Sequence, residues 1–183
     1  MNVTDSLTTV AGINLPPHSF MAVLFDGTTA PDDPIVTNDQ CAALVEAQTP
    51  MGIATAGNSS GTVVDSNGVP QTVRFSRPAG VTVYISVTCS KGPAWDDTAT
   101  PAAVKAALAA YATANWKPGV SVIHAFLFGV VASVNTDPLN PQVADVTAIT
   151  LGTAPSPSGT ANLTMSVLQV ATLIAANVSV TGV

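Results

Sequence analysis

The sequence predicts an α+β fold of two small subdomains, each a mostly antiparallel sheet with one or two packed helices. Three observations carry that expectation. Val81 to Lys91, VTVYISVTCSK, alternates strictly between apolar and polar residues, which is the period of a half-buried strand. Ser66-Asn67-Gly68 separates two short Val-containing runs, and Asn-Gly between such runs is the strongest short-range hairpin signal. Two helical patterns begin at Asp33-Pro34 and Thr100-Pro101, with proline at the first helical position, where its missing N–H is not needed.

Taken in order, Leu15-Pro16-Pro17-His18 reads as a stiff, extended lead-in, because proline fixes its own φ and restricts the residue before it. Ser19 to Phe25 is expected as a buried strand ended by Asp26-Gly27. The first helix takes Asp33 as N-cap, with Ile35, Cys41, Leu44, Val45 and Gln48 as its core stripe and tail, and Pro50 and Gly52 as its stop. Gly61 to Asp65 and Val69 to Ser76 form the hairpin, with positive φ at both Asn67 and Gly68. Val73 and Phe75 share one face; Thr72, Arg74 and Ser76 share the other. Along the next strand Val81, Val83, Ile85, Val87 and Cys89 face inward.

Lys91 to Thr98 then reads as a boundary. It gives an N-terminal α+β subdomain over 1–92 (strand, helix, Asn-Gly hairpin, strand) and a C-terminal one over 93–183 (helix, buried apolar element, strands). The second helix has Thr100 as N-cap, Val104, Leu108 and Tyr111 as its stripe, and an end near Trp116. Val120 to Val134 is expected as a short strand leading into a helix, and Asp145 to Leu151 as a strand. Ala161 to Leu168 and Val178 to Val183 follow as strands around a helical turn at Gln169 to Ala176.

Composition narrows the function. Charged residues are 9% of the 183, against roughly 25% in a typical soluble domain. Such a surface is poor at keeping a monomer soluble and suits burial against neighbours. Five Lys and Arg under a net charge of −6 cannot build the basic footprint that nucleic acid needs. Cys41 and Cys89 do not make a disulfide framework and read as small buried hydrophobes. The N-terminus lacks the basic start and apolar core of a signal peptide. Val120 to Val134 is shorter than the roughly 20 residues that cross a bilayer, so no membrane contact is expected. The sequons at Asn2, Asn58, Asn162 and Asn177 are what a Thr/Ser-rich sequence produces by chance.

A search for chemistry returns little. Gly57-Asn58-Ser59-Ser60-Gly61 matches G-x-S-x-G, but a nucleophile elbow needs a strand before the serine and a helix after it. Here a helix and loop precede Ser59 and a hairpin follows. His18 and His124 stand alone, without metal-ligand spacing. Asp32-Asp33 and Asp96-Asp97 sit just ahead of helices, where carboxylates cap and favour the dipole. Glu46 is the one glutamate, so a glycosidase pair of carboxylates has little to draw on. No catalytic, cofactor or metal residue is assigned. Arg74 and Arg77 remain as a possible subunit interface, since arginine is enriched in protein contacts and forks onto carboxylates.

Several segments, in order, resemble the baseplate J-like family, the Mu-type baseplate proteins of contractile-tailed phages. They are Leu15-Pro16-Pro17-His18-Ser19-Phe20, then Pro50-Met51-Gly52-Ile53-Ala54-Thr55-Ala56-Gly57-Asn58, then Val-x-Asp-x-x-Gly in the hairpin. Val73-Arg74-Phe75-Ser76-Arg77-Pro78 and Val83-Tyr84-Ile85-Ser86-Val87-Thr88 follow. Asp145-Val146 to Gly152, Gly159 to Asn162 and Ala176-Asn177-Val178-Ser179-Val180 close the series. Members of that family are usually about twice this long, so the chain looks like their C-terminal half. The resemblance implies a non-enzymatic wedge protein in the virion, made in the bacterial host cytoplasm. It would assemble around the tail hub with other copies of itself and other baseplate proteins, without cofactor, nucleic acid, membrane or small-molecule substrate. The alternative is a secreted or tail-associated adhesin that binds glycans without catalysis; a hydrolase using Ser59 comes third.

Overall fold

Two hairpins and a helix laid across one of them organise the first part of the chain. The structure, a computed structural model, describes residues 1–4, 6–27, 36–50, 52–135 and 144–183. Its contacts divide the chain into one unit of Met1–Ala79 with Ser166–Gln169 and another of Gly80–Met165 with Val170–Val183. The division falls at 79/80 rather than at 92/93, because the strand carrying Ile85 and Val87 is the centre of the second core. Among the described residues there are three helices and eleven strands, the α+β composition that the sequence predicts.

In the first unit β1 (Thr8–Val10) and β2 (Ile13–Leu15) form an antiparallel hairpin. Its turn, Ala11-Gly12, has φ of 48° and 83°, the paired positive values that a two-residue hairpin needs. The Pro-Pro-His segment is a turn rather than an extended lead-in: His18 adopts φ 52° and the Ser19 hydroxyl donates to the Pro16 carbonyl at 2.6 Å. Only Ser19–Met21 of the expected strand pairs regularly, as β3, and it runs parallel to β4 (Ala54–Ala56). Helix α1 is Asn38–Glu46, and its N-cap is Thr37. The Thr37 hydroxyl accepts from Gln40 N while the Gln40 side chain accepts from Thr37 N, a reciprocal cap that satisfies two exposed donors at once. The expected start at Asp33-Pro34, with Ile35 in the stripe, lies outside the described residues.

The predicted hairpin is β5 (Ser59–Val64) and β6 (Pro70–Phe75), paired from Ser59 with Phe75 to Val64 with Pro70. Its turn differs from expectation. Gly68 alone has positive φ, 79°, while Asn67 does not. Asp65 N donates to the Val69 carbonyl at 2.9 Å and Gly68 N to the Asp65 carbonyl at 3.0 Å. The loop is therefore the three residues 66–68 with glycine in the left-handed position, a standard alternative to the two-residue turn. Asp65 explains the choice, since its Oδ1 accepts from Asn67 N and Val69 N, both at 2.9 Å.

Helix α1 packs on this hairpin at very short range. A Cβ at Gly61 would sit 2.2 Å from the Asn38 carbonyl oxygen and 2.9 Å from Ala42 Cβ, and one at Gly57 would sit 1.9 Å from the Phe75 carbonyl oxygen. Cys41, Ala42, Val45, Val73 and Phe75 form the core of the unit, while Leu44 is 62% exposed and does not belong to the stripe. Small Ala42 occupies the inward position because the Gly61 backbone lies directly beneath it. Ser76, expected to face out with Arg74, is fully buried and exchanges backbone hydrogen bonds with the 22–24 segment.

In the second unit β8 (Tyr84–Lys91) is the centre of a three-stranded sheet between β9 (Ala144–Gly152), antiparallel, and β11 (Val178–Gly182), parallel. A separate short strand, β7 (Ala79–Thr82), pairs with β10 (Gln169–Thr172). The predicted alternation holds: Val83, Ile85, Val87 and Cys89 are completely buried. Helices α2 (Ala99–Asn115) and α3 (His124–Ala132) contribute Val104, Leu108, Leu127 and Val131 to the same core. The apolar run from Val120 is, as expected, a brief strand contact, Val122 with Leu163, leading into a helix. No helix among the described residues is long and apolar enough to cross a membrane. Two expectations near the C-terminus fail. Ala161 to Leu168 has only the Leu163 bridge, and residues 169–172 form β10, leaving a single 3-10 turn at Ala175–Asn177.

Gly61→Ala is expected to cost about 3 kcal/mol, because the obstructing atom is backbone and α1 must move off the hairpin. Gly68→Ala meets no neighbour and is expected to cost about 1 kcal/mol, the strain of a side chain at left-handed φ. Urea unfolding of both variants measures the contrast.

Candidate functional site

The residues singled out for chemistry gather at the open end of the β5–β6 hairpin. The strand pairing brings Ser59 opposite Phe75, and Gly57 beneath it. Arg77 therefore leaves the strand beside α1, and its side chain is only 13% exposed. Its Nε donates to Asn38 Oδ1 at 3.1 Å, Nη2 donates to the Val36 carbonyl and to Cys41 Sγ, and Nη1 pairs with Asp26 Oδ2 at 3.7 Å. The guanidinium also stands 5.7 Å from the centre of the Phe75 ring, within cation–π range. Its backbone is held as well: Arg77 N donates to Asn58 Oδ1 at 3.0 Å, and Asn58 Nδ2 donates to the Arg77 carbonyl at 3.2 Å. A planar, forked cation can serve this many acceptors at once, and a lysine cannot.

Arg74 contrasts with it. Its side chain is exposed, and only its backbone N–H is engaged, by Thr55 Oγ1 at 2.9 Å. It lines a cavity of about 830 Å³ with Glu46, Thr49, Thr55, Asp65 and Gln71. The two arginines named together in the sequence thus occupy different situations: Arg77 fastens α1, β6 and the Asp26 loop to one another, while Arg74 faces solvent.

The G-x-S-x-G segment acquires a structural explanation. Both of its glycines are positions of close backbone approach, and Ser59 opens a strand with its hydroxyl donating to Asn58 Oδ1 at 3.2 Å. His124 belongs to the other unit, where its Nε2 lies 2.8 Å from the Ile149 carbonyl oxygen and its ring meets Phe128 edge-on at 5.4 Å. His18 lies at the Pro-Pro turn.

The acidic residues act locally. Asp96 Oδ1 accepts from Thr98 N at 2.8 Å and Ala99 N at 2.6 Å, and so caps α2. The helix begins two residues ahead of the expected Thr100 cap, whose hydroxyl instead accepts from Asp96 N at 3.1 Å. The Ala99 and Thr98 amides hold the Asp96 carboxyl below its ordinary range. Asp97 pairs with Lys91 Nζ at 2.9 Å and accepts from Trp95 Nε1 at 2.8 Å, and both contacts lower its pKa. Asp32-Asp33 lie outside the described residues. Both cysteines are free and buried, and burial pushes the Cys89 thiol up, with the Asp145 carboxylate adding to it.

Sequence reasoning missed Asn58, Asn38 and Asp26 as the partners of Arg77, and Asp39, whose Oδ1 accepts from Thr62 N at 2.8 Å on the outer edge of β5. Short polar side chains that replace a missing strand neighbour leave no periodic signal. Comparison with known proteins adds no name, since neither a family model nor a curated protein matches the chain.

Arg77→Ala is expected to destabilise the first unit by about 2 kcal/mol or more, leaving buried acceptors on Val36 and Asn38 unsatisfied. Arg77→Lys restores little of that loss, and Arg74→Ala stays within about 0.5 kcal/mol of wild type; thermal unfolding ranks the three. The Val69 amide, followed by that of Asn67, holds the Asp65 carboxyl below its ordinary value of 3.8. A lowered folded pKa means a contribution present above the unfolded value and lost as pH falls through the folded one. Amide exchange at Asn67 and Val69 is therefore expected to accelerate only below pH 3.8, while Asp65→Ala shows the fast exchange at neutral pH.

Proposed function

We propose that the chain is a structural component of a contractile phage tail baseplate, a wedge protein that assembles through protein–protein contacts around the tail hub. The observation that carries the proposal is the ordered resemblance to the baseplate J-like family, running from Leu15 to Val180. The structure supports it by what those segments do. Gly57 and Gly61 admit close backbone approach, and Asn58 and Arg77 tie loops together. Ile85 and Val87 fill the core from the central strand, and Val178 begins the parallel strand beside it. Each is a framework role, as a protein that works by shape requires.

A surface poor in charge supports the same reading, since burial against neighbours then desolvates few ions. The partners proposed are other copies of the chain and other baseplate proteins, in the virion, with synthesis in the bacterial host cytoplasm. No catalytic residue, cofactor, metal, nucleic acid or membrane belongs to this role. A glycan-binding adhesin is the second reading, and the polar cavity at Arg74 is the observation in its favour. Against it, no aromatic side chain lines that cavity to stack on a sugar ring.

Co-expression with the tail proteins encoded beside it is expected to give a complex that survives gel filtration. A chain that elutes alone from every such mixture, while binding a glycan on an array, contradicts the proposal and favours the second reading. Arg74→Ala reports separately on the exposed arginine: unchanged assembly removes it from the interface without touching the fold.

A further inference from the structure

We propose that the uncharged face formed by α2 and α3 is a contact surface for a second copy of this chain, related by a twofold axis that places Phe126 of each copy in the groove of the other. Phe126 is 61% exposed and is the one exposed aromatic side chain among the described residues. Beside it a groove of about 640 Å³ runs between the helices, lined by Ala107, Tyr111, Gly129 and Val130. A projecting ring next to a hollow, on one face, is what an isologous contact uses, because each copy supplies both halves of the same fit.

Helix α2 extends the face. Ala102, Ala106, Ala110 and Ala114 follow one another at i, i+4 spacing and all are exposed, where a helix facing water ordinarily carries charged residues. Lys105 is the one charge on α2, and two residues of helical rotation set it about 200° from Ala107, away from the groove. Helix α3, HAFLFGVVA, carries no Asp, Glu, Lys or Arg.

Charge and area identify the occupant. A charged partner laid on this face would lose hydration with nothing to pair it, so the face selects a surface as uncharged as itself. This chain carries such a surface in the face itself. The 17 residues of α2 extend about 25 Å and two helices side by side span about 20 Å. Each copy would then bury about 500 Å², and the pair about 1,000 Å², the lower bound for a specific contact. The contact is accordingly weak and reversible, and it does not depend on which larger assembly the chain enters.

Sedimentation equilibrium of the full chain from micromolar to millimolar concentration tests it, with circular dichroism confirming that each variant is folded. A reversible monomer–dimer equilibrium is expected, and Phe126→Ser is expected to raise the dissociation constant about tenfold or more. Ala110→Glu, which puts a good helix former at an exposed position, is expected to do the same. Leu44→Ser removes an equally exposed side chain from α1 and is expected to leave the constant unchanged. A wild-type chain that stays monomeric throughout overturns the proposal. So does a dimer that survives both face substitutions, or one that Leu44→Ser weakens equally.

Discussion

The contact between α1 and the β5–β6 hairpin is the constraint on which the first unit depends. At Gly61 the helix lies so near the strand that no side chain fits between them. Such an approach requires the helix to be held in place, because small residues supply little dispersion to hold it. Arg77 supplies that hold from the end of β6, reaching Asn38 and Val36 at the start of α1 and Asp26 on the opposite loop. The charge is nearly buried yet satisfied on several sides, which makes its removal more damaging than its presence is stabilising. Close packing and the buried cation are thus one device: the glycine brings the helix down, and the guanidinium fixes where it lands.

The second unit is held by ordinary means. Its central strand puts four consecutive inward positions, Val83 to Cys89, at zero exposure, and two helices close over them. Gly182 lets the last strand pass under Lys91 and Trp95, where a Cβ would meet both side chains at 2.6 Å. Neither unit uses charge for its core except at Arg77. What remains on the outside is therefore mostly small and uncharged, and that is the property by which a part of a larger assembly accepts neighbours.

How much of this was legible in the sequence follows from the range of each interaction. The alternation from Val81 and the periodic stripe of α2 were readable, because burial on one face imposes a period that survives in the sequence. Cys41 and Cys89 were correctly placed in cores for the same reason. The hairpin was readable as a hairpin but not in its turn: Asn67-Gly68 suggested the two-residue form, and Asp65 decided otherwise with a side-chain acceptor for two backbone amides. The true two-residue turn, Ala11-Gly12, went unseen because alanine gives no hint of positive φ. Helix starts were displaced for a related reason. Thr37 with Gln40, and Asp96 with the amides of Thr98 and Ala99, are caps set by pairs of residues rather than by one residue and a proline. At the candidate site Arg77 stood out by rarity, yet its partners are 36 to 51 residues away and no local pattern reveals them.

The account makes the first unit a single mechanical body, with α1 and the hairpin locked through Gly61 and Arg77. Hydrogen exchange of the intact chain followed by mass spectrometry tests that most directly. Residues 38–46 and 59–75 are expected to share one protection level and to open together as denaturant is raised. If α1 instead exchanges freely while the hairpin stays protected, the helix is not held by the strand beneath it, and the central claim is wrong.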